Sequence, residues 1–556
     1  MSNLLRILFL ALALPSLLVA QGEAGLIKSF GEPGTTGSFE ACFSKLTAGL
    51  VWLKAKDHFV TAEAANSDEV KSSDYLLLID NSDHALRLAQ LPQAGGALFA
   101  KNPAQDSWEM QDIRDGVRFT LADGKGLVLE KEFLYDQQAR GFTITLTLRN
   151  ETSEVRGNQA FVLLGPALVS PKQSSLFGDV SVAIAAMTDG EFDQKSPSAE
   201  FVNQPLTEVK LPLLSFAGSS NRFFGAFLYP QDDESRAAIT SLTVQTVPPR
   251  AGVEPPDNST TRVLFGMQFG VPGKGQATTF KYGLYIGPKS NRVFQTLPEP
   301  ERFVPILDHD LEPPCCGMSV PGGRFMATTL LSLLGVFYDF LGNWGFAIIL
   351  LTVLVRGAMF PLNFKMQKSM RAYGAKMSKL KPKMDEMKKK YADDQKAYQQ
   401  AMMAFNRENK VMPPIGGCLP IFLTMPIYIG LFTALRTAYD LRHEPFFGWI
   451  NDLSSSDQLF ELGFWPGDFN LLPLIWIVLL VFQMARQPLP TDPQQRQTQK
   501  IMRFMPMMFG VMLYSYASAL LLYMVTSMLW SLVESAIVKK ILGPADPNSG
   551  MMPTPM

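Results

Sequence analysis

The sequence predicts a chain of mixed class: an exported β-sandwich, then an all-α polytopic membrane domain that carries a cytoplasmic helical hairpin. Three observations predict it. Phe142-Thr-Ile-Thr-Leu-Thr-Leu148 alternates apolar and polar strictly, the period of a strand with one buried face. The long apolar runs are confined to residues 330–540. At the start, Arg6 precedes a mostly apolar run from Ile7 to Ala20, which reads as an export signal. At 556 residues and 47% apolar, the chain has ample material for more than one core, so disorder is excluded over most of its length. A net charge of -1 argues against a uniformly basic nucleic-acid binder.

In chain order, residues 1–24 form the signal sequence or an uncleaved N-terminal anchor. The apolar run is short for a span, which needs about 20 residues, and Ala20 or Ala24 offers a cleavage point. Residues 25–325 form the exported sandwich. Further strand-like runs lie at Gly126 to Phe133, Val263 to Val271 and Thr279 to Ile286, with turn clusters at 92–96 and 255–258 between runs. Four cysteines exclude a disulfide scaffold. A bridge from Cys42 to Cys315 or Cys316 and idle thiols are both open readings. Sugar chemistry on a large sandwich needs a convergent set, and only His58, His84 and His309 are available here, so a scaffold or docking role is expected. No HExxH or CxxC occurs, and no metal or cofactor is expected.

Residues 326–540 form the membrane domain, with five spans at about 343–361, 416–436, 469–486, 502–516 and 519–538. The short tail 541–556 follows. Between the first two spans, Lys365 to Lys410 carries thirteen basic and five acidic residues. Arg436 to Asn470 carries two basic and six acidic, and Arg486 to Arg503 four basic and one acidic. Lys excess marks the cytoplasmic side. The basic segments and the C-terminus are therefore expected inside, with the sandwich and the acidic loop outside. The basic segment reads as a helical hairpin over 364–411, broken at Asp393-Asp394 and kinked or restarted at Pro382. The span from Leu471 to Ala485 reaches only about 22 Å at helical rise, against about 30 Å of hydrocarbon. Short spans thin the bilayer or border a wet cavity. Arg356 lies inside an apolar run, which makes it a functional candidate. The competing reading is snorkelling to the headgroups.

Several blocks then become familiar. Gly342-Asn-Trp-Gly-Phe-Ala-Ile-Ile-Leu-Leu-Thr-Val-Leu-Val-Arg-Gly-Ala-Met-Phe-Pro-Leu362 resembles the second span of the YidC family of membrane protein insertases. Pro414 to Pro420 with Met425-Pro426, Pro445 to Leu453, and Lys500 to Pro506 each resemble a further block of that family, in the same order. Tyr285-Ile-Gly-Pro288 resembles the end of the periplasmic sandwich of its Gram-negative members. The resemblance implies an inner-membrane, non-enzymatic insertase and chaperone. It implies nascent membrane proteins as clients, and the Sec translocon, ribosome or targeting factors and membrane lipids as partners. It also implies a hydrophilic client groove holding Arg356, Thr352, Tyr523 and Ser527. Thr424 stands where relatives often carry Gln. Tyr516-Ala-Ser-Ala519 departs from the family's usual turn, and the tail from Gly543 lacks the basic residues some relatives use on the ribosome. A solute transporter with an intramembrane Arg is the alternative, though no inverted repeat relates the spans. An intramembrane protease lacks a span histidine as base.

Overall fold

The computed structural model describes residues 25–65, 70–90, 103, 107–152, 159–169, 182–195, 204–247, 260–311, 323–391, 394–409, 415–461, 468–485, 489–490, 508, 510–543 and 551–552. The expected signal at 1–24, the two turn clusters, Cys315, Cys316, the basic stretch 491–507 and most of the tail lie outside them. The chain divides into two compact units, 1–309 and 310–556.

The first unit is built on a nine-stranded antiparallel sheet with Ala277–Pro288 at its centre. That strand pairs with Gly141–Asn150, setting Phe280 opposite Leu146 and Tyr282 opposite Ile144. The strict alternation works as expected: Phe142, Ile144, Leu146 and Leu148 are all buried, and the intervening threonines are half-buried. Two smaller antiparallel sheets, of four and five strands, cover this face. Phe142 meets Phe30 edge-on at 5.1 Å between centroids, and Phe280 stacks on Phe269 at 4.6 Å. The opposite face is covered at one end by α1 (Pro300–Asp310), whose Phe303 packs on Tyr285 and Phe227. Each such ring contributes about 1.5–3 kcal/mol by leaving water. Tyr285, in the block that carries the family resemblance, donates its hydroxyl to the Pro288 carbonyl at 2.6 Å.

One buried position breaks the apolar pattern. Along Leu127–Asp136 the inward face reads Leu127, Leu129, Lys131, Phe133. Lys131 donates to the carbonyls of Ala48, at 2.9 Å, and Leu86. Both acceptors are non-glycine residues in the left-handed region, at φ 46° and 62°. The amine thus pins two strained turns from inside the sandwich. Burial holds its pKa well below the usual lysine value. The folded state therefore binds fewer protons than the unfolded one between that lowered pKa and 10.5, so stability rises with pH across this window. Amide protection along 127–136, corrected for intrinsic exchange, is expected to be greater at pH 9.5 than at pH 7. Lys131→Met should abolish that slope; a slope that survives the substitution would place its origin elsewhere.

The second unit is helical: α2 (Gly323–Leu341), α3 (Trp344–Lys390), α4 (Gln395–Glu408), α5 (Ile415–Thr437), α6 (Leu471–Ala485) and α7 (Ser518–Leu542). Gly342, at φ 67°, ends α2, and the Asn343 side chain accepts the Phe346 N–H at 3.1 Å to start α3. Helix α3 does not restart at Pro382. It runs unbroken through Pro361 and Pro382 and fuses the first apolar segment to the basic one. Pro382 is exposed, so water can take the carbonyl that its missing N–H leaves unpaired. The break falls after Lys390, and Asp394 caps α4 by accepting the N–H groups of Lys396 and Ala397, each at 3.0 Å.

The core of this unit gathers at one end. It holds Trp344, Ile348 and Leu351 of α3, Leu431 and Leu435 of α5, Leu472 and Trp476 of α6, and the first two turns of α7. The described parts of the acidic segment, 438–461 and 468–470, fold over that end. Leu453 and Ser455 offer their carbonyls to the first N–H groups of α7, at 2.9 and 2.6 Å. Asp457, 2% exposed, accepts from the N–H groups of Leu471 and Leu472 at the start of α6 and from Trp449 Nε1, all at 2.8–2.9 Å. A Cβ on Gly510, ahead of α7, would come within 2.5 Å of the Ile477 side chain, so the backbone there lies close against α6.

Candidate functional site

Beyond the packed end the helices separate in character. After Thr352, no described side chain of α3 is buried, whereas α7 keeps buried residues as far as Val538. Arg356 lies one turn past this point, half-buried. Its Nε donates to Ser527 Oγ at 2.8 Å, and its Nη2 donates to both Ser527 Oγ and the Tyr428 hydroxyl. The guanidinium also lies over the Tyr428 ring, 5.3 Å from its centroid. Tyr523 completes the group: its ring meets Tyr428 at 6.0 Å, and its hydroxyl lies near Ser527 and Tyr428. Ser527 and Tyr523 are 3% and 5% exposed, while Tyr428 is 40% exposed. The site therefore has a buried wall on α7 and an open wall on α5.

The structure brings together Arg356, Tyr523 and Ser527 of the expected set. Thr352 is on the same face of α3, but its hydroxyl donates to the Ile348 carbonyl at 2.7 Å and it is 1% exposed, so it is spent inside its own helix. Thr424 is on α5, and its side chain lies outside the described residues. Sequence reasoning missed Tyr428, which falls two residues after Met425-Pro426 in an apolar helix and carries no charge to mark it.

The helices around this site turn apolar side chains outward. Leu354 is 49% exposed, Val478 66% and Val533 50%. Two helices, Trp344–Ser369 and Ser518–Leu542, are long and apolar enough to cross a membrane, and the shorter Leu471–Ala485 is apolar apart from Gln483. A bundle with a dry, capped end, aliphatic flanks and an arginine held among hydroxyls inside is a membrane-embedded protein with an internal polar site. Comparison with known proteins agrees. The family model described as 60Kd inner membrane protein matches residues 336–544. The membrane protein insertase YidC of Pseudoalteromonas atlantica is 30% identical over 438 residues, covering 78% of this chain and 72% of that protein. That of Vibrio cholerae is 28% identical over 493 residues, covering 86% and 81%. Among solved structures, an active YidC insertase crystal structure with the first transmembrane domain resolved matches at 17% identity and a TM-score of 0.34, over 96% of this chain and 99% of that one. The chain belongs to the YidC family of membrane protein insertases.

Proposed function

We propose that this chain inserts and folds integral membrane proteins through the polar site between α3, α5 and α7, alone or beside the Sec translocon. The observation that carries the reading is the position of Arg356. It is held by Ser527 and Tyr428 where the core opens, with the bundle capped behind it by the acidic segment. With basic segments inside, the capped end faces the periplasm together with the sandwich, and the open end faces the cytoplasm and the lipid. A fixed positive charge in such a groove attracts the polar, often acidic, exported segment of a client. That segment then has only the capped half of the membrane left to cross. The client's apolar helix leaves along α6, whose 15 residues span less than the hydrocarbon thickness. The energy comes from client partitioning and the membrane potential, about 2.3 kcal/mol per charge per 100 mV.

The remaining parts take supporting roles. The end of α3 with α4 forms a cytoplasmic hairpin that docks clients, ribosomes or targeting factors through its charge. The sandwich serves as a scaffold.

Proteoliposomes holding only the purified chain are expected to insert a single-span client with no nucleotide added, and to leave solute uptake unchanged. Solute uptake without client insertion would favour a transporter instead. Removing 364–411 is expected to reduce client capture, and to weaken its dependence on salt. Unchanged capture would reduce the hairpin to a passive connection.

A further inference from the structure

The helices that join Arg356 to Ser527 stay in step beyond that contact. Asn363 on α3 and Glu534 on α7 each lie seven residues further along, which sets the Asn363 amide near the Glu534 carboxylate. Glu534 is 4% exposed, and its Oε1 has no hydrogen-bond partner among the described residues. One turn before it, Trp530 Nε1 is likewise buried without a partner. Glu534 is the one acidic residue of α7. A buried carboxylate is costly unless a cation offsets it. The cation whose field reaches it is Arg356, two turns away, or about 10 Å at helical rise. The other basic groups nearby face solvent or serve elsewhere: Lys365 and Lys368 of α3 are exposed, Arg371 donates to the Gly543 carbonyl at 3.0 Å, and Lys539 and Lys540 are exposed at the end of α7.

We propose that Glu534 is the counter-charge of Arg356. It offsets part of the site's positive field and so sets how strongly the site prefers acidic client segments over neutral ones. This rests on the insertase reading. At about 10 Å and an effective dielectric near 20, the full interaction is worth on the order of a tenfold change in an equilibrium constant, of which a client at the site feels part. Glu534 acts through Arg356 and is a positioning residue, not a contact for the client.

The test uses the full-length chain in proteoliposomes and two clients that differ only in acidic residues of the exported segment. Glu534→Gln is expected to raise the acidic-to-neutral insertion ratio about fivefold, while Glu534→Asp, which keeps the charge, leaves it near the wild-type value. An unchanged ratio in a folded Glu534→Gln protein, or an equal rise with Asp, would overturn the proposal. A second arm needs no client. Arg356→Ala strands the carboxylate, so adding Glu534→Gln to it should recover part of the lost thermal midpoint. Strictly additive losses would overturn the pairing. This arm decides the matter even if the wild-type chain inserts neither client, a result that would sink the insertase reading on its own.

Discussion

Arg356→Ala is expected to slow insertion of a client with an acidic exported segment about tenfold more than insertion of its neutral counterpart, the loss of roughly 1.4 kcal/mol of attraction. Arg356→Lys should retain much of the preference. It keeps the charge but loses the fork that reaches Ser527 through two nitrogens and Tyr428 through one of them. Arg356→Glu should be worst, because it repels the acidic segment and sets a second carboxylate near Glu534. The measurement is paired-client insertion, with the fold of each variant checked first. Snorkelling makes a different claim, in which Ala is harmless for both clients. Wild-type rates for both clients in the Ala variant would remove Arg356 from the mechanism. Equal loss of both would leave it important without being a charge selector.

The largest stability effect is expected at Asp457. One oxygen of this buried carboxylate satisfies the first two N–H groups of α6 and the indole of Trp449. Asp457→Ala strands three donors in the packed end of the bundle, at a cost of about 3–5 kcal/mol. Asp457→Asn keeps an acceptor oxygen and should cost less than half as much. Thermal unfolding in detergent, followed by the fluorescence of Trp449 and its neighbours, reads both variants. An Ala variant within about 1 kcal/mol of wild type would mean that the donors find other partners. Because this cap also closes the bundle behind Arg356, partial opening in Asp457→Ala should appear as ion leak across proteoliposomes.

What was legible in the sequence follows from which signals are local. The strand Gly141–Asn150 announced itself because a period of two needs no partner to be read. Arg356 announced itself as a charge within an apolar run. Tyr523 and Ser527 were reached only through resemblance, since a tyrosine and a serine in an apolar helix look the same facing core or groove. Tyr428 had no signal at all. Asp457 was hidden for another reason: it caps a helix that begins 14 residues later, whereas capping patterns are read within a few residues. Two signals were available and unused. Glu534 is an acid inside an apolar helix, and Lys131 stands in the buried register of Leu127-Val-Leu-Glu-Lys-Glu-Phe133. In both cases the exception to the pattern marks a buried charge that needs a partner. The unbroken course of α3 through Pro382 shows the converse, a local rule overridden because water reaches the exposed backbone.

The central claim is that a translating client passes against the site at Arg356. A photo-reactive amino acid placed at position 356, and in parallel at the outward-facing Val478, tests it directly during synthesis of a single-span client. The account predicts crosslinks from 356 at chain lengths where the polar exported segment has just left the ribosome, followed by crosslinks from 478 as the apolar helix moves into lipid. Crosslinks from 478 alone at every chain length, with none from 356, would contradict it.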